Sequence, residues 1–208
     1  MMDTMQNNQA LNIICTTGEA LQAALMHRDE YTQNHCERVT YIAVQTGKFL
    51  KFNAEQLAQL EAAAIFHDIG KIGIPDDILL NPGKLTGEQY KHMQTHVVVG
   101  TSIAQKLDIP NADKVAEIIL HHHEHYDGTG YPHGLKGDEI PLSSRIITVV
   151  DVFDALSSPR RYREPMSAES TLDKMEKEMM HEFDPKVFEV VSQVVRSNLT
   201  LLANNKIT

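Results

Sequence analysis

Leu57, Leu60, Ala64 and His67 fall on one face of a helical repeat, and that face has to be buried for the chain to fold. The apolar run from Ala62 to Phe66 therefore carries His67, with the carboxylate of Asp68 directly behind it, toward an interior. Few folds accept an ionisable pair there, because charge withdrawn from water has to be paired or bound. Lys71 follows within the next turn, so one short segment holds an imidazole, a carboxylate and an ammonium. A neutral imidazole suits a borderline divalent metal, and the two oxygens of a carboxylate can bridge two metals. The same dipeptide also describes a capped helix end or a surface pair, so the rest of the chain has to decide.

Other stripes repeat the arrangement. A first helix is predicted from about Glu19 to Leu50, with Leu21, Leu25, Tyr31, His35, Val39, Ile42, Thr46 and Phe49 at helical spacing. His35 lies inside that stripe, where a core histidine bonded to a carbonyl is the plain alternative to a ligand. Asn53 with Gln56, and Thr86 with Gln89, have the spacing of reciprocal helix caps. Gly70 is placed to stop the helix that ends near His67, and Pro75 to prevent its early resumption. After Thr86 one helix is predicted to carry Met93, His96, Gly100, Ile103 and Leu107 on a single stripe, bringing His96 inward. A further helix from about Ala112 turns Val115, Ile118, Ile119 and His122 to one side, with His123 as neighbour.

The glycine and proline density from Tyr126 to Gly134 describes a shaped loop, either a simple connector or a segment whose backbone approaches a ligand. Ile146 to Val150 has strand propensity, yet a buried helix is preferred because it brings Ile147, Asp151 and Asp154 to nearby faces. A carboxylate in so apolar a run needs a partner or a metal. Three arginines between Pro159 and Glu164 form either a solvated basic turn or a clamp for anions. Ser167 and Asp184-Pro185 are predicted to start two last helices, whose apolar stripes are core.

A chain of 208 residues fits one domain with a single core. Its net charge of −9 argues against a general binder of DNA or of a membrane surface, although metals and a few local cations can still admit a small anion. Two cysteines give no disulfide framework, the first residues lack the basic and apolar parts of a secretory signal, and no apolar run reaches the ~18 to 20 residues of a membrane span. A cytoplasmic location is expected.

Seven groups, His35, His67, Asp68, His96, His122, His123 and Asp151, thus come from five predicted helices, each aimed inward by its own stripe. Imidazole and carboxylate without thiolate disfavour a structural zinc site and suit iron, manganese or a similar ion. Seven donors are too many for one metal that keeps an open position. Two divalent ions bridged by Asp68 use them economically, and a pair of ions ~4 Å apart is the usual device for phosphoester hydrolysis.

At this point the sequence closely resembles the HD-GYP family, a branch of the HD-domain metal-dependent phosphohydrolases. The matching residues are His-Asp-Ile-Gly-Lys at 67 to 71 with Ile74-Pro75, Pro-Gly-Lys-Leu-Thr at 82 to 86, and His96. The run His-His-Glu-His-Tyr-Asp-Gly-Thr-Gly-Tyr-Pro at 122 to 132 and Asp-Val-Phe-Asp-Ala-Leu at 151 to 156 complete the match. The resemblance covers roughly residues 20 to 195. It implies an all-α fold, a single HD-domain helical bundle with an added Gly-Tyr-Pro loop region, spanning residues 19 to 205 after a tail or linker at 1 to 18. It also implies hydrolysis of the bacterial second messenger cyclic di-GMP to linear pGpG or on to GMP by metal-activated water.

Carried over by position, the seven groups hold the metals, and Lys71 and Asp68 act in catalysis. Gly130, Tyr131, Pro132, Arg160 and Arg163 contact the substrate, and Asp154, counted with them, supports the site. Tyr31 stands where some members have a glutamate that helps bind a third ion, so two metals are expected rather than three. No receiver or sensor domain is expected before the catalytic region, and input is expected from a regulatory protein partner, from a homodimer, or from substrate and metal supply alone. A cyclic-dinucleotide-binding module with little activity, and a phosphohydrolase of another cyclic dinucleotide, are the competing readings.

Overall fold

In a computed structural model of the protein, residues 23–25, 32–159 and 164–198 are described, and among them no strand occurs. The helices are α1 (Thr32–Phe49), α2 (Ala54–Phe66), the single turn α3 (Asp76–Leu79), α4 (Gly87–Gln94), α5 (His96–Ala104), α6 (Ala112–Leu120), α7 (Leu142–Ser157), α8 (Ala168–Glu178) and α9 (Pro185–Ser197). The strand-like run before Asp151 is helical, as the inward spacing of Ile147 and Asp151 requires. The expected tail at 1 to 18, Tyr31, Arg160 and Arg163 lie outside the described residues. Among the described residues no helix is long and apolar enough to cross a membrane.

Local chemistry sets the helix starts. Asn53 and Thr86 each close a reciprocal cap, the side chain accepting from the backbone N–H of Gln56 or Gln89 and the glutamine oxygen accepting in return. Ser167 and Asp184 cap α8 and α9, with Pro185 in the first turn of α9. α1 packs against α2, α7 and α9, while α5 packs against α6 and against the 3-10 turn Ile69–Gly73. Ile42, Leu60, Phe66, Ile119, Ile146, Ile147, Met175 and Val195 are among the side chains that fill the single core between them.

Four expectations need correction. Phe49, predicted on the inward stripe of α1, is exposed, because Phe52 returns over Gly47 and takes the space at the end of the helix. The single helix predicted after Thr86 is two, parted at Thr95. There the Thr95 hydroxyl donates to the His92 carbonyl and the His96 Nδ1 faces the Met93 carbonyl, so side chains occupy oxygens that the next turn would need. Gly70 does not stop a helix: α2 has already ended at Phe66, and Gly70 lies within the 3-10 turn. A Cβ at Gly70 would stand 1.9 Å from the His96 carbonyl oxygen and 2.5 Å from the Gly100 nitrogen, so its value is close approach of backbones. Finally, His67, Asp68, His122 and His123 lie at or just past helix ends rather than within helices.

Candidate metal centre

The ends of α2, α4 and α6 converge, and each orients a histidine in the same way. Near a helix C-terminus the last carbonyls lack intrahelical partners. His67, His96 and His122 turn Nδ1 to the carbonyls of Ala64, Met93 and Ile119, at 2.8, 2.7 and 2.7 Å. A carbonyl only accepts, so Nδ1 carries the hydrogen and Nε2 presents a lone pair. The Nε2 atoms of His96 and His122 are buried and lack any hydrogen-bond partner. Two buried orphan acceptors are costly in a folded protein unless something electropositive meets them.

Something electropositive would find a complete donor set. Asp68, His96, His122 and His123 offer one donor each within 4.8 Å of one another, and so do His35, His67 and Asp151. Asp68 lies between the sets: its Oδ2 is 3.8 Å from His35 Nε2 and 3.5 Å from His67 Nε2, while its Oδ1 is 3.8 Å from His96 Nε2. Thus all seven groups expected from the sequence are brought together in two adjoining clusters, with Asp68 of the first reaching toward His35 and His67 of the second. Their nitrogen and oxygen donors fit divalent ions.

The local electrostatics divide along the same line. Burial pushes the imidazoles of His96, His122 and His123 down, with neighbouring imidazoles adding, and His123 falls to about 3. These three are neutral at ordinary pH, the form that binds metal. Burial would also lower His35, but hydrogen bonds to Asp151 and Asp154 and the charge of Asp68 outweigh it and raise His35 to about 9. Burial would raise Asp68 and Asp151, yet the Lys71 ammonium and surrounding imidazoles hold Asp68 well below the carboxylate range, and His35 does the same for Asp151. The His35 cluster therefore attracts positive charge, whether a proton or an ion.

Lys71 Nζ donates to Asp68 Oδ2 at 2.6 Å, and its side chain is a quarter exposed. On the other side Tyr131 stacks on His123, ring centroids 5.0 Å apart, and meets the His96 ring edge at 6.5 Å. Burial, with the Tyr90 phenol adding, keeps the Tyr131 hydroxyl protonated and able to donate. Its loop is drawn onto the cluster by backbone contact: Tyr131 N–H donates to the His123 carbonyl at 3.1 Å, and a Cβ at Gly130 would stand 2.2 Å from the His125 nitrogen. Pro132 follows in a cis peptide bond and is exposed. Asp154 faces away from the open side: it is 1% exposed beneath His35, with both oxygens engaged by protein donors. Counted with the substrate contacts but expected to support the site, it stands in that supporting position behind the histidine.

Two residues escaped the sequence reading. Glu124, 1% exposed, accepts from the backbone N–H groups of His133 and Leu135 at 2.7 and 3.1 Å and so closes the Gly-Tyr-Pro loop. Arg38 forks onto Asp154. A charge next to a buried stripe was the available signal for Arg38, and a carboxylate within a histidine tract was the one for Glu124.

With this geometry established, comparison with known proteins decides the family. The sequence matches the HD domain family over residues 19–187. The chain belongs to the HD domain family. It is 40% identical over 171 residues to a cyclic di-GMP phosphodiesterase of Thermotoga maritima, covering 82% of this chain and 46% of that protein. A cyclic GMP-AMP specific phosphodiesterase of V. cholerae superposes with a TM-score of 0.64 at 26% identity, covering 83% of this chain and 46% of that one. An HDG"Y"P protein of Bdellovibrio bacteriovorus superposes with a TM-score of 0.63 at 17% identity, covering 78% of this HD domain chain and 51% of its own, a likeness of fold. The chain thus spans about half the length of these relatives.

Proposed function

We propose that this chain is a metal-dependent phosphodiesterase of the HD-GYP type that hydrolyses cyclic di-GMP to linear pGpG, GMP or both. The observation that carries the reading is the pair of donor clusters that adjoin at Asp68, with unpartnered Nε2 atoms at His96 and His122. His35, His67 and Asp151 would hold one ion and His96, His122 and His123 the other, with Asp68 common to both. Two ions rather than three are expected, with iron or manganese favoured by the mixed imidazole and carboxylate donors. Bound there, they would supply the Lewis acidity that activates water and stabilises a phosphoryl oxygen.

The chain's own residues have separate tasks. Water adds to phosphorus, the P–O3′ bond breaks, and the leaving oxygen takes up a proton. Lys71, charged and beside Asp68, stabilises the negative charge on the phosphoryl group or helps protonate that oxygen. Tyr131, braced on His123 between Gly130 and Pro132, offers an aromatic edge and a hydroxyl donor to the dinucleotide. Arg160 and Arg163 are assigned to its phosphates, since guanidinium groups match phosphate oxygens in pairs. A cytoplasmic location and a signalling role accompany this substrate.

Purified protein loaded anaerobically with iron or manganese should convert cyclic di-GMP to linear product. No turnover with any divalent metal, beside tight binding of the nucleotide, would leave a binding module instead. The likeness to the cyclic GMP-AMP specific enzyme favours one other substrate, so 3′3′-cGAMP belongs in the same assay. Faster release from the hybrid nucleotide would replace cyclic di-GMP in this reading and leave the chemistry unchanged.

A further inference from the structure

Asp151 and Asp154 lie one turn apart on α7 and both reach His35, but from opposite sides of the ring. Asp151 Oδ1 is 3.2 Å from Nε2, and Asp154 Oδ2 is 2.8 Å from Nδ1. Two carboxylates of equal chemistry flank one imidazole, and only Asp151 belongs to the donor cluster. The difference between them is Arg38, one turn beyond His35 on α1. Its Nε donates to Asp154 Oδ1 at 2.5 Å and its Nη2 to Oδ2 at 2.9 Å, while Ser158 Oγ donates to Oδ1 at 3.2 Å. Each carboxylate oxygen of Asp154 thereby meets two donors, which fills the roughly four lone-pair directions a carboxylate offers. The Arg38 and Asp154 side chains are 13% and 2% exposed, so the paired bonds are little weakened by water.

We propose that Arg38 is a positioning residue of the metal centre. By saturating Asp154 it keeps that carboxylate from turning into the ion site, fixes the hydrogen of His35 on Nδ1, and aims the Nε2 lone pair at the ion. The inference rests on the metal-binding part of the proposed function and not on the identity of the substrate. It also accounts for a contrast within the centre. His67, His96 and His122 are aimed by backbone carbonyls, which no side-chain change can remove, whereas His35 alone among these four is aimed by a side-chain relay. Loss of the relay should therefore be felt at the ion held by His35, and not at the other.

The test uses the full chain, stripped of metal and titrated with Mn2+ by calorimetry, with the melting midpoint of the metal-free protein measured alongside. Arg38→Lys keeps the charge and loses the fork. The expected result is two equivalents bound by the unaltered protein, and in Arg38→Lys one of them weakened about 10- to 100-fold, the usual cost of losing an outer partner of a metal ligand. Asp154→Asn, whose amide N–H group opposes the Nδ1 hydrogen, should weaken the same equivalent. The double variant should be no worse than either single one, because both act through one relay. Arg38→Lys that binds both equivalents like the unaltered protein overturns the proposal. So does weakening of both equivalents together with a lowered metal-free melting midpoint, which would mark Arg38 as a strut of the fold. An unaltered protein that binds no Mn2+ overturns this proposal and the metal-centre reading together. Two equivalents bound without hydrolysis of any cyclic dinucleotide would defeat the proposed function and leave the positioning role standing.

Discussion

The two donor clusters differ in how most of their members are built in. His35 and Asp151 stand within long helices, where periodicity aims them and side chains orient them, and His67 of the same cluster is held at a helix end by the Ala64 carbonyl. His96, His122 and His123 stand at or beyond helix ends, where the unfilled carbonyls of the last turn or a stacked tyrosine do the aiming. The first cluster is anionic and draws a proton to His35, while the second is crowded with imidazoles and refuses one. A helix interior thus supplies charge and reach, and a helix end supplies rigidity. A centre that needs two unlike cation positions can take one from each.

The largest break in this comparison should come from Asp68, which serves both sides. Asp68→Ala is expected to reduce hydrolysis to background and to lower bound metal from two equivalents, measured by elemental analysis beside product chromatography. His35→Ala and His96→Ala should each remove one equivalent only. If either removes both, the clusters are not separable.

A smaller effect, on stability, is expected where the turn of Asp68 and the helix of His96 touch through their backbones. Gly70→Ala would force a methyl group into the His96 carbonyl, and should cost about 3 kcal/mol in urea unfolding, the upper end for overpacking a tight core. A neutral outcome would mean that the turn carrying Asp68 can slide along α5.

The pH dependence of the metal-free protein sharpens the contrast with no substitution at all. His123 has its pKa lowered to about 3 from 6.5, so between those values the unfolded chain binds a proton that the folded one excludes, and stability falls as the pH is lowered. The depressed carboxyls of Asp68 and Asp151 act in the same direction: their contribution is present above pH 3.8 and is lost as pH falls through their folded values. His35 acts at the other end. Its pKa is raised to about 9, so its contribution is complete below pH 6.5 and is lost as pH rises through about 9. Thermal melts should therefore peak near pH 6.5, with the acid limb set chiefly by the imidazole-rich cluster and the alkaline limb by His35. His35→Ala should flatten the alkaline limb and, by freeing the Asp151 carboxyl, also soften the acid limb below pH 3.8.

The smallest expected effect lies far from either cluster. Asn53→Ala should cost about 1 kcal/mol by loss of the cap, with metal binding unchanged.

Much of this could be read from the sequence, for a physical reason. A buried stripe that contains an imidazole states both the face of the helix and its cargo, so His35, His67, His96, His122 and Asp151 were visible as inward residues. The caps at Asn53, Thr86, Ser167 and Asp184 are local chemistry and are read from a few neighbouring letters. The break at Thr95 was hidden because the stripe resumes on the same side after it, and only the side-chain bonds to His92 and Met93 interrupt the backbone pattern. The fork between Arg38 and Asp154 joins residues 116 positions apart, a distance over which local pattern carries no information. Gly70 was misread as a helix stop for the same reason, since the backbone it lies against belongs to another helix.

That last contact has a consequence for how the centre can change. With no side chain between the turn of Asp68 and the start of α5, the spacing of Asp68 from His96 is fixed by main-chain thickness, the one dimension that substitution of ligands leaves untouched. Variation at the histidines can therefore exchange one ion for another, but shifting Asp68 against His96 would have to begin at a glycine.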